Sequence, residues 1–200
     1  MTTIYFMRHS EQLKVNNIEN NDSLQLQNEK SPLTINGENI AKEKAKIEEL
    51  NNFDIVISSS YVRAVTTAKY FTNDKINVIE SFGERKFGIS SWSELPEDFE
   101  KKQHEDFDYK TPNGESLNMV IERENNALNK ILDEYKNKKI LIVCHSTALA
   151  SLLTKWCDVD FEGDYKFNGK SFFDGKWNYC ETFKLLFNDN KELVSIENIK

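Results

Sequence analysis

Apolar positions along the chain fall into two patterns. Ile4-Tyr5-Phe6-Met7, Asp54-Ile55-Val56-Ile57-Ser58 and Lys139-Ile140-Leu141-Ile142-Val143-Cys144 are short runs with little polar interruption. Runs of this kind are strands buried on both faces, as in a parallel sheet. The second pattern is helical. Leu117, Val120, Ile121, Leu128, Ile131, Leu132 and Tyr135 recur every three or four positions and predict a long helix from about Ser116 to Asn137. Shorter helices are expected from about Asn36 to Leu50 with Thr34 as cap, from Tyr61 to Phe71 after Ser58-Ser59-Ser60, and from Thr147 to Trp156. Ile76 to Glu80 is a third strand candidate, and 183–187 with 193–196 forms a terminal hairpin around Asn188-Asp189-Asn190. Residues 16–30 show no period and read as a surface loop. Residues 81–114 mix aromatics, Gly, Pro and charges and read as an inserted cap. Strands alternating with helices predict an α/β fold: a three-layer, doubly wound, mainly parallel sheet with helices on both faces, in one domain over 1–200.

Composition narrows the function classes. A formal charge of −7 argues against general nucleic-acid binding, so any positive pocket is a local island. No apolar run approaches the ~20 residues of a membrane span, and the N-terminus lacks the apolar core of a secretory signal. Cys144, Cys157 and Cys180 form no C-x-x-C pair and read as reduced thiols in a cytoplasm.

Each of the most apolar strands runs into a cation. The first ends at Arg8-His9, the second is followed by Arg63, and the third ends at His145. In a doubly wound sheet ligands bind beyond the carboxyl ends of the strands. Two arginines and two histidines gathered there make an anion site, helped by the N-termini of the helices that follow. A phosphoryl group suits it, because guanidinium forks match phosphate oxygens in pairs. Of the three histidines only His104 lies elsewhere, in the charged stretch Lys102-Gln103-His104-Glu105-Asp106, and it is assigned no role. Gly169-Lys170-Ser171 resembles the end of a P-loop, but Gly163 leaves five intervening residues and no apolar strand precedes it. Cys144 reads as core.

Six segments, in order, resemble the signatures of the histidine phosphatase (phosphoglycerate mutase-like) superfamily. They are Met7-Arg8-His9-Ser10-Glu11, Ser31-Pro32-Leu33-Thr34-Ile35-Asn36-Gly37, Ser58-Ser59-Ser60-Tyr61-Val62-Arg63-Ala64-Val65-Thr66-Thr67-Ala68, Glu84-Arg85-Lys86-Phe87-Gly88, Pro112-Asn113-Gly114-Glu115-Ser116 and Val143-Cys144-His145-Ser146. Ser10 and Ser146 replace glycines that usually follow the two histidines, and either could narrow the site. Gln12 replaces a common Thr. Where the family often has an Asn, this chain has Val15, with Asn16 one residue later.

The resemblance implies that His9 is a nucleophile forming a phosphohistidine, with one ring nitrogen tied to a backbone carbonyl to fix the tautomer. Arg8, Arg63, His145 and Ser146 would hold the phosphoryl oxygens. Glu84 matches the family's proton donor to the leaving alkoxide, and Glu115 is a rival that fits a first-turn carboxylate better. Asn16, Arg85 and Trp92 are candidate substrate contacts, although Trp92 could equally belong to a small local core. No metal or other cofactor is required. The expected activity is hydrolysis of a small phosphorylated metabolite. The alternatives are a phosphomutase, which would need basic residues such as Lys101 and Lys102 for a second phosphate, and a non-catalytic phospholigand-binding protein, for which the two serines are the motive.

Overall fold

A computed structural model of the chain describes residues 1–14, 22–161 and 163–200. Its centre is a six-stranded sheet. In chain order the strands are β1 (Thr2–Arg8), β2 (Ile55–Ser58), β3 (Ile76–Val78), β4 (Lys139–Cys144), β8 (Thr182–Phe187) and β9 (Leu193–Ile199), and they lie side by side as β3-β2-β4-β1-β8-β9. The first four are mutually parallel, and β8 and β9 close one side antiparallel. The terminal hairpin therefore extends the main sheet next to β1.

The apolar runs are explained by what lies on each face. Successive side chains alternate sides. Ile4, Phe6, Ile140, Ile142 and Cys144 enter one core layer, while Tyr5, Met7, Leu141 and Val143 enter the other. The first layer is covered by helices α5 (Leu117–Glu134) and α6 (Ser146–Leu153), through Leu128, Ile131, Leu132, Leu149, Leu152 and Leu153. The second is covered by α2 (Ile35–Lys44) and α3 (Val62–Ala68), through Ala41, Ala64 and Ala68. Each fully buried Leu or Ile contributes ~1.5–3 kcal/mol. Thr34 caps α2 by accepting from Gly37 N, and Ser116 caps α5 by accepting from Met119 N.

Several elements differ from the reading by periodicity. The helix after Thr34 stops at Lys44. Ile47 is extended, and a separate turn at Glu48–Leu50 places Leu50 in the core. Within 16–30, read as loop, Leu24–Lys30 is helix α1, which buries none of its residues and so carries no apolar stripe. The insert 81–114 carries a short turn at Trp92–Glu94 and helix α4 (Phe99–Glu105). A second, three-stranded antiparallel sheet, β5 (Asp158–Val159), β6 (Tyr165–Phe167) and β7 (Lys170–Phe173), was not legible, its strands being two to four residues long. The P-loop-like Gly169-Lys170-Ser171 belongs to its β6–β7 hairpin. Asn168 (φ 50°) and Gly169 (φ 76°) both take the left-handed backbone that a tight hairpin turn requires. No helix among the described residues is long and apolar enough to cross a membrane.

Candidate active site

Register fixes the site. β1 and β4 are in step to Arg8 opposite Cys144, and β2 and β4 to Ser58 opposite Val143. The ladder continues one residue beyond, His9 N–H donating to Cys144 O and Ser59 N–H to Val143 O. His9, Ser59 and His145 therefore leave the sheet side by side at its carboxyl edge. The two imidazole centroids are 5.0 Å apart. Arg63, in the first turn of α3, reaches between them.

Each group has a defined partner. His9 Nδ1 lies 2.6 Å from Ser10 O, so Nδ1 carries the hydrogen and Nε2 keeps its lone pair. Arg63 Nε donates to that Nε2 at 3.0 Å. Arg63 Nη2 lies 3.3 Å from His145 Nδ1 and Nη1 donates to Asn28 O at 2.6 Å. Because a guanidinium only donates, His145 Nδ1 accepts, and its Nε2–H donates to Ser59 Oγ at 2.8 Å. The Tyr61 ring packs edge-on to His145 at 4.4 Å and lies under the Arg63 guanidinium at 4.6 Å. Arg8 donates through Nη1 to Trp177 O at 2.7 Å, while its buried Nε has no partner among the described residues.

The electrostatics follow from burial. His9, Arg63 and His145 are all at most 5 % exposed. Burial, then the charges of Arg63 and Arg8, hold His9 well below the usual imidazole range. Burial and the neighbouring His9, Arg63, Arg123 and Arg8 do the same to His145. Burial pulls Arg63 down to about 10, which leaves it charged at neutral pH. The result is a positive pocket with two neutral imidazoles, the His9 Nε2 lone pair being held by Arg63 Nε.

Glu84 lies near enough to Arg8 and Arg63 for its charge to act on both. Its Oε1 accepts from Arg85 N at 2.8 Å and Ala148 N at 3.0 Å, and its Oε2 accepts from Thr147 N at 3.3 Å. The N-terminus of α6, expected to face the anion, is thus engaged by the Glu84 carboxylate. The loop that carries Glu84 is braced by Arg123, which donates to Ser81 O, Gly83 O and Glu84 O. Arg123 also grips both oxygens of Glu115 at 2.8 and 3.0 Å. Burial would raise the Glu115 carboxyl, but the Arg123 pairing leaves it lowered overall. Glu115, the rival acid, is therefore part of a brace.

The remaining expectations divide. Ser10 is fully buried with Oγ donating to Gly37 O at 2.7 Å and N–H donating to Thr67 Oγ1, so its side chain is turned to α2 and does not narrow the pocket. Ser146 begins α6 and lines a cavity of about 220 Å³ beside the pocket. Arg85 lines that cavity too, but it is nearly buried. It donates to Gln103 Oε1 and Glu100 Oε1, and its guanidinium stacks on Phe87 and Phe99 at 4.4 and 5.2 Å. Trp92 is 56 % exposed and packs on Phe87 in a separate, small cleft with Leu24, so it is not brought to the phosphate-type site. Asn16 lies outside the described residues. Lys101 and Lys102 are both exposed, with Lys101 4.0 Å from Glu105 and Lys102 donating to Glu97 O. Among the described residues no group of three His, Cys, Asp or Glu is placed to hold a metal ion.

Sequence reasoning missed Ser59, Tyr61 and Arg123. Ser59 does not cap α3, which has no side-chain cap; its hydroxyl holds His145 instead. Its signal was its place directly after a buried strand, the same signal that marked the histidines.

A family profile described as histidine phosphatase superfamily (branch 1) matches residues 4–173. The chain belongs to the histidine phosphatase superfamily. In the phosphatase PhoE of Bacillus subtilis, described as uncharacterized, 128 residues align at 33% identity, covering 62% of this chain and 64% of that protein. A phosphoserine phosphatase from Entamoeba histolytica, solved with 3-phosphoglyceric acid, superposes with a TM-score of 0.69 at 21% identity, covering 100% of this chain and 98% of that one. A mycobacterial glucosyl-3-phosphoglycerate phosphatase with inorganic phosphate gives 0.70 at 14%, covering 99% and 95%. The last two share the fold of this protein.

Proposed function

We propose that this protein hydrolyses a small phosphate monoester through a phosphohistidine, without a metal ion. The observation that carries the reading is the state of His9. Its Nδ1 is fixed by Ser10 O, its ring is held neutral by burial, and its Nε2 lone pair faces a guanidinium to which no carboxylate among the described residues is bonded.

The steps follow from the partners. An incoming phosphoryl group takes the N–H groups of Arg63 and the unpartnered Arg8 Nε, which releases the Nε2 lone pair. Nε2 attacks phosphorus in line as the ester P–O bond breaks. Arg8 and Arg63 stabilise charge on the transferring oxygens, and His145 joins them once the bound phosphoryl group draws a proton onto its Nδ1. Glu84 takes the proton that a phosphate monoester monoanion carries in and gives it to the departing alkoxide. Oε2 is the oxygen to do so, since among the described residues it accepts one hydrogen bond, from Thr147 N at 3.3 Å, the longest of the carboxylate's three. Glu84 then takes a proton from a water that attacks the phosphohistidine, releasing inorganic phosphate and restoring neutral His9. The three buried, free thiols fit a cytoplasmic setting.

The phosphomutase reading is disfavoured, because Arg85 is engaged by Glu100 and Gln103 and neither Lys101 nor Lys102 lines the adjoining cavity. The binding-protein reading loses half its motive with Ser10 turned away from the site. The test is p-nitrophenyl phosphate turnover with His9→Ala. Turnover should vanish while inorganic phosphate still binds, and alkali-stable, acid-labile phosphate should be trapped on the wild type but not on the variant. Undiminished turnover in His9→Ala would overturn the reading.

A further inference from the structure

The cavity beside the phosphate-type pocket has a chemistry of its own. Ser146 and Thr147 open it, and it runs along one stripe of α6, Ser146, Thr147, Ala150, Ser151 and Thr154. Eight residues of helix rise ~12 Å, long enough for an organic group extending away from a bound phosphate. It is joined to the pocket at two points. Thr147, on its floor, donates to Glu84, and Trp177, on its wall, accepts from Arg8.

The floor is less polar than its sequence. Ser151 Oγ donates back to Thr147 O at 2.7 Å and Thr154 Oγ1 to Ser151 O at 2.7 Å, so these hydroxyl hydrogens are used within the helix. The walls are aromatic: Phe107, Phe161, Tyr165 and Trp177. His104, given no role by the sequence, lies with its ring 5.3 Å from Phe161, joining α4 to the β5–β6 connection across the cavity. Charge is the other constraint. Arg85 is matched by Glu100, and Asp160 adds a second carboxylate to the lining. Among the described residues no lysine lines it, so a substrate carboxylate or second phosphate would be desolvated next to Glu100 and Asp160 with only the already paired Arg85 as a cation.

We infer that this cavity selects phosphate monoesters whose organic group is flat, aromatic and free of negative charge. The inference rests on the hydrolase reading above, and it separates this chain from relatives named for phosphoserine or phosphoglycerate substrates. The test compares kcat/KM for 2-naphthylethyl phosphate, propyl phosphate and 3-phosphoglycerate, all with alkoxide leaving groups, by phosphate release. The naphthyl ester should exceed propyl phosphate by about tenfold or more, from buried apolar area alone. 3-Phosphoglycerate should fall below propyl phosphate. Phe161→Ala should lower the naphthyl-to-propyl ratio at least several-fold, and Asp160→Lys should raise 3-phosphoglycerate relative to propyl phosphate. Equal rates for naphthyl and propyl esters, or a preference for 3-phosphoglycerate, would overturn this inference and leave the hydrolase reading intact. No turnover of these esters or of p-nitrophenyl phosphate would bring down both.

Discussion

Three buried groups make stability depend on pH with opposing signs, and one substitution separates them. His9 and His145, facing Arg63, Arg8 and Arg123, are held well below the ordinary imidazole value. Glu124 lies on the buried stripe of α5 with both carboxyl oxygens unpartnered among the described residues. Burial, then the carboxylates Glu84 and Glu115, raise it well above the ordinary carboxyl value despite Arg123. As pH falls through about 6.5 the unfolded chain takes protons on both histidines and the folded chain does not, so stability drops. As pH rises past about 4.3 the unfolded chain loses a proton from Glu124 that the folded chain keeps, so stability also drops in that direction. Between pH 5 and 6, two neutral-in-fold imidazoles contribute a gain of roughly 2 kcal/mol and Glu124 offsets about half. The native protein should therefore gain roughly 1 kcal/mol over that unit and Glu124→Gln about twice as much. Lowered surface carboxylates such as Glu11 and Asp54 titrate alike in both proteins and cancel in the difference. Urea unfolding at pH 5.0, 5.5 and 6.0 measures both slopes. Equal slopes would show that Glu124 is already ionised in the fold, and a flat variant would show that the imidazoles are charged.

Three other outcomes follow from the same geometry. Gly37→Ala should destabilise by ~1–3 kcal/mol in thermal or urea unfolding, because its Cβ would overlap the Glu11 carbonyl oxygen across a buried contact; the same shift, passed through Ser10, should lower kcat. Ser10→Gly should cost ~1 kcal/mol for the lost bond to Gly37 O yet leave KM for small esters within about twofold, since Ser10 faces α2. Orthovanadate at about 100 times its Kd should stabilise the protein by ~2.7 kcal/mol, read as a rise in Tm, and Arg63→Ala should abolish the rise.

The fold was legible where burial on both faces removed polar positions. β1, β2 and β4 are continuous apolar runs because α5 and α6 cover one side and α2 and α3 the other. Legibility failed where an element buries little. Helix α1 hides no residue, and β5 is two residues long, so neither leaves a periodic trace. Glu124 failed for the opposite reason. A carboxyl within an otherwise apolar stripe reads as a gap in the period, and only packing shows it enclosed.

The same contrast governs the site. Arg8, His9, Arg63 and His145 could be found because they combine rare side chains with a position just past a strand. What aims them could not, because it is mostly backbone. Ser10 O fixes the His9 tautomer, Asn28 O and Trp177 O orient the two guanidiniums, and the carbonyls of Ser81, Gly83 and Glu84 receive Arg123. Every residue has a carbonyl, so side-chain identity at positions 28 and 177 carries no trace of the job. A consequence separates the two classes experimentally. Replacing Asn28 by alanine keeps its carbonyl and should leave phosphate binding nearly unchanged, whereas an inserted glycine beside it, which displaces that carbonyl from Arg63 without altering any charged group, should weaken binding about as much as loss of a charge-assisted hydrogen bond, ~1.5–3 kcal/mol. Isothermal titration with phosphate distinguishes them, and equal effects of the two changes would mean that Arg63 is positioned by its side-chain contacts with His9 and His145 alone.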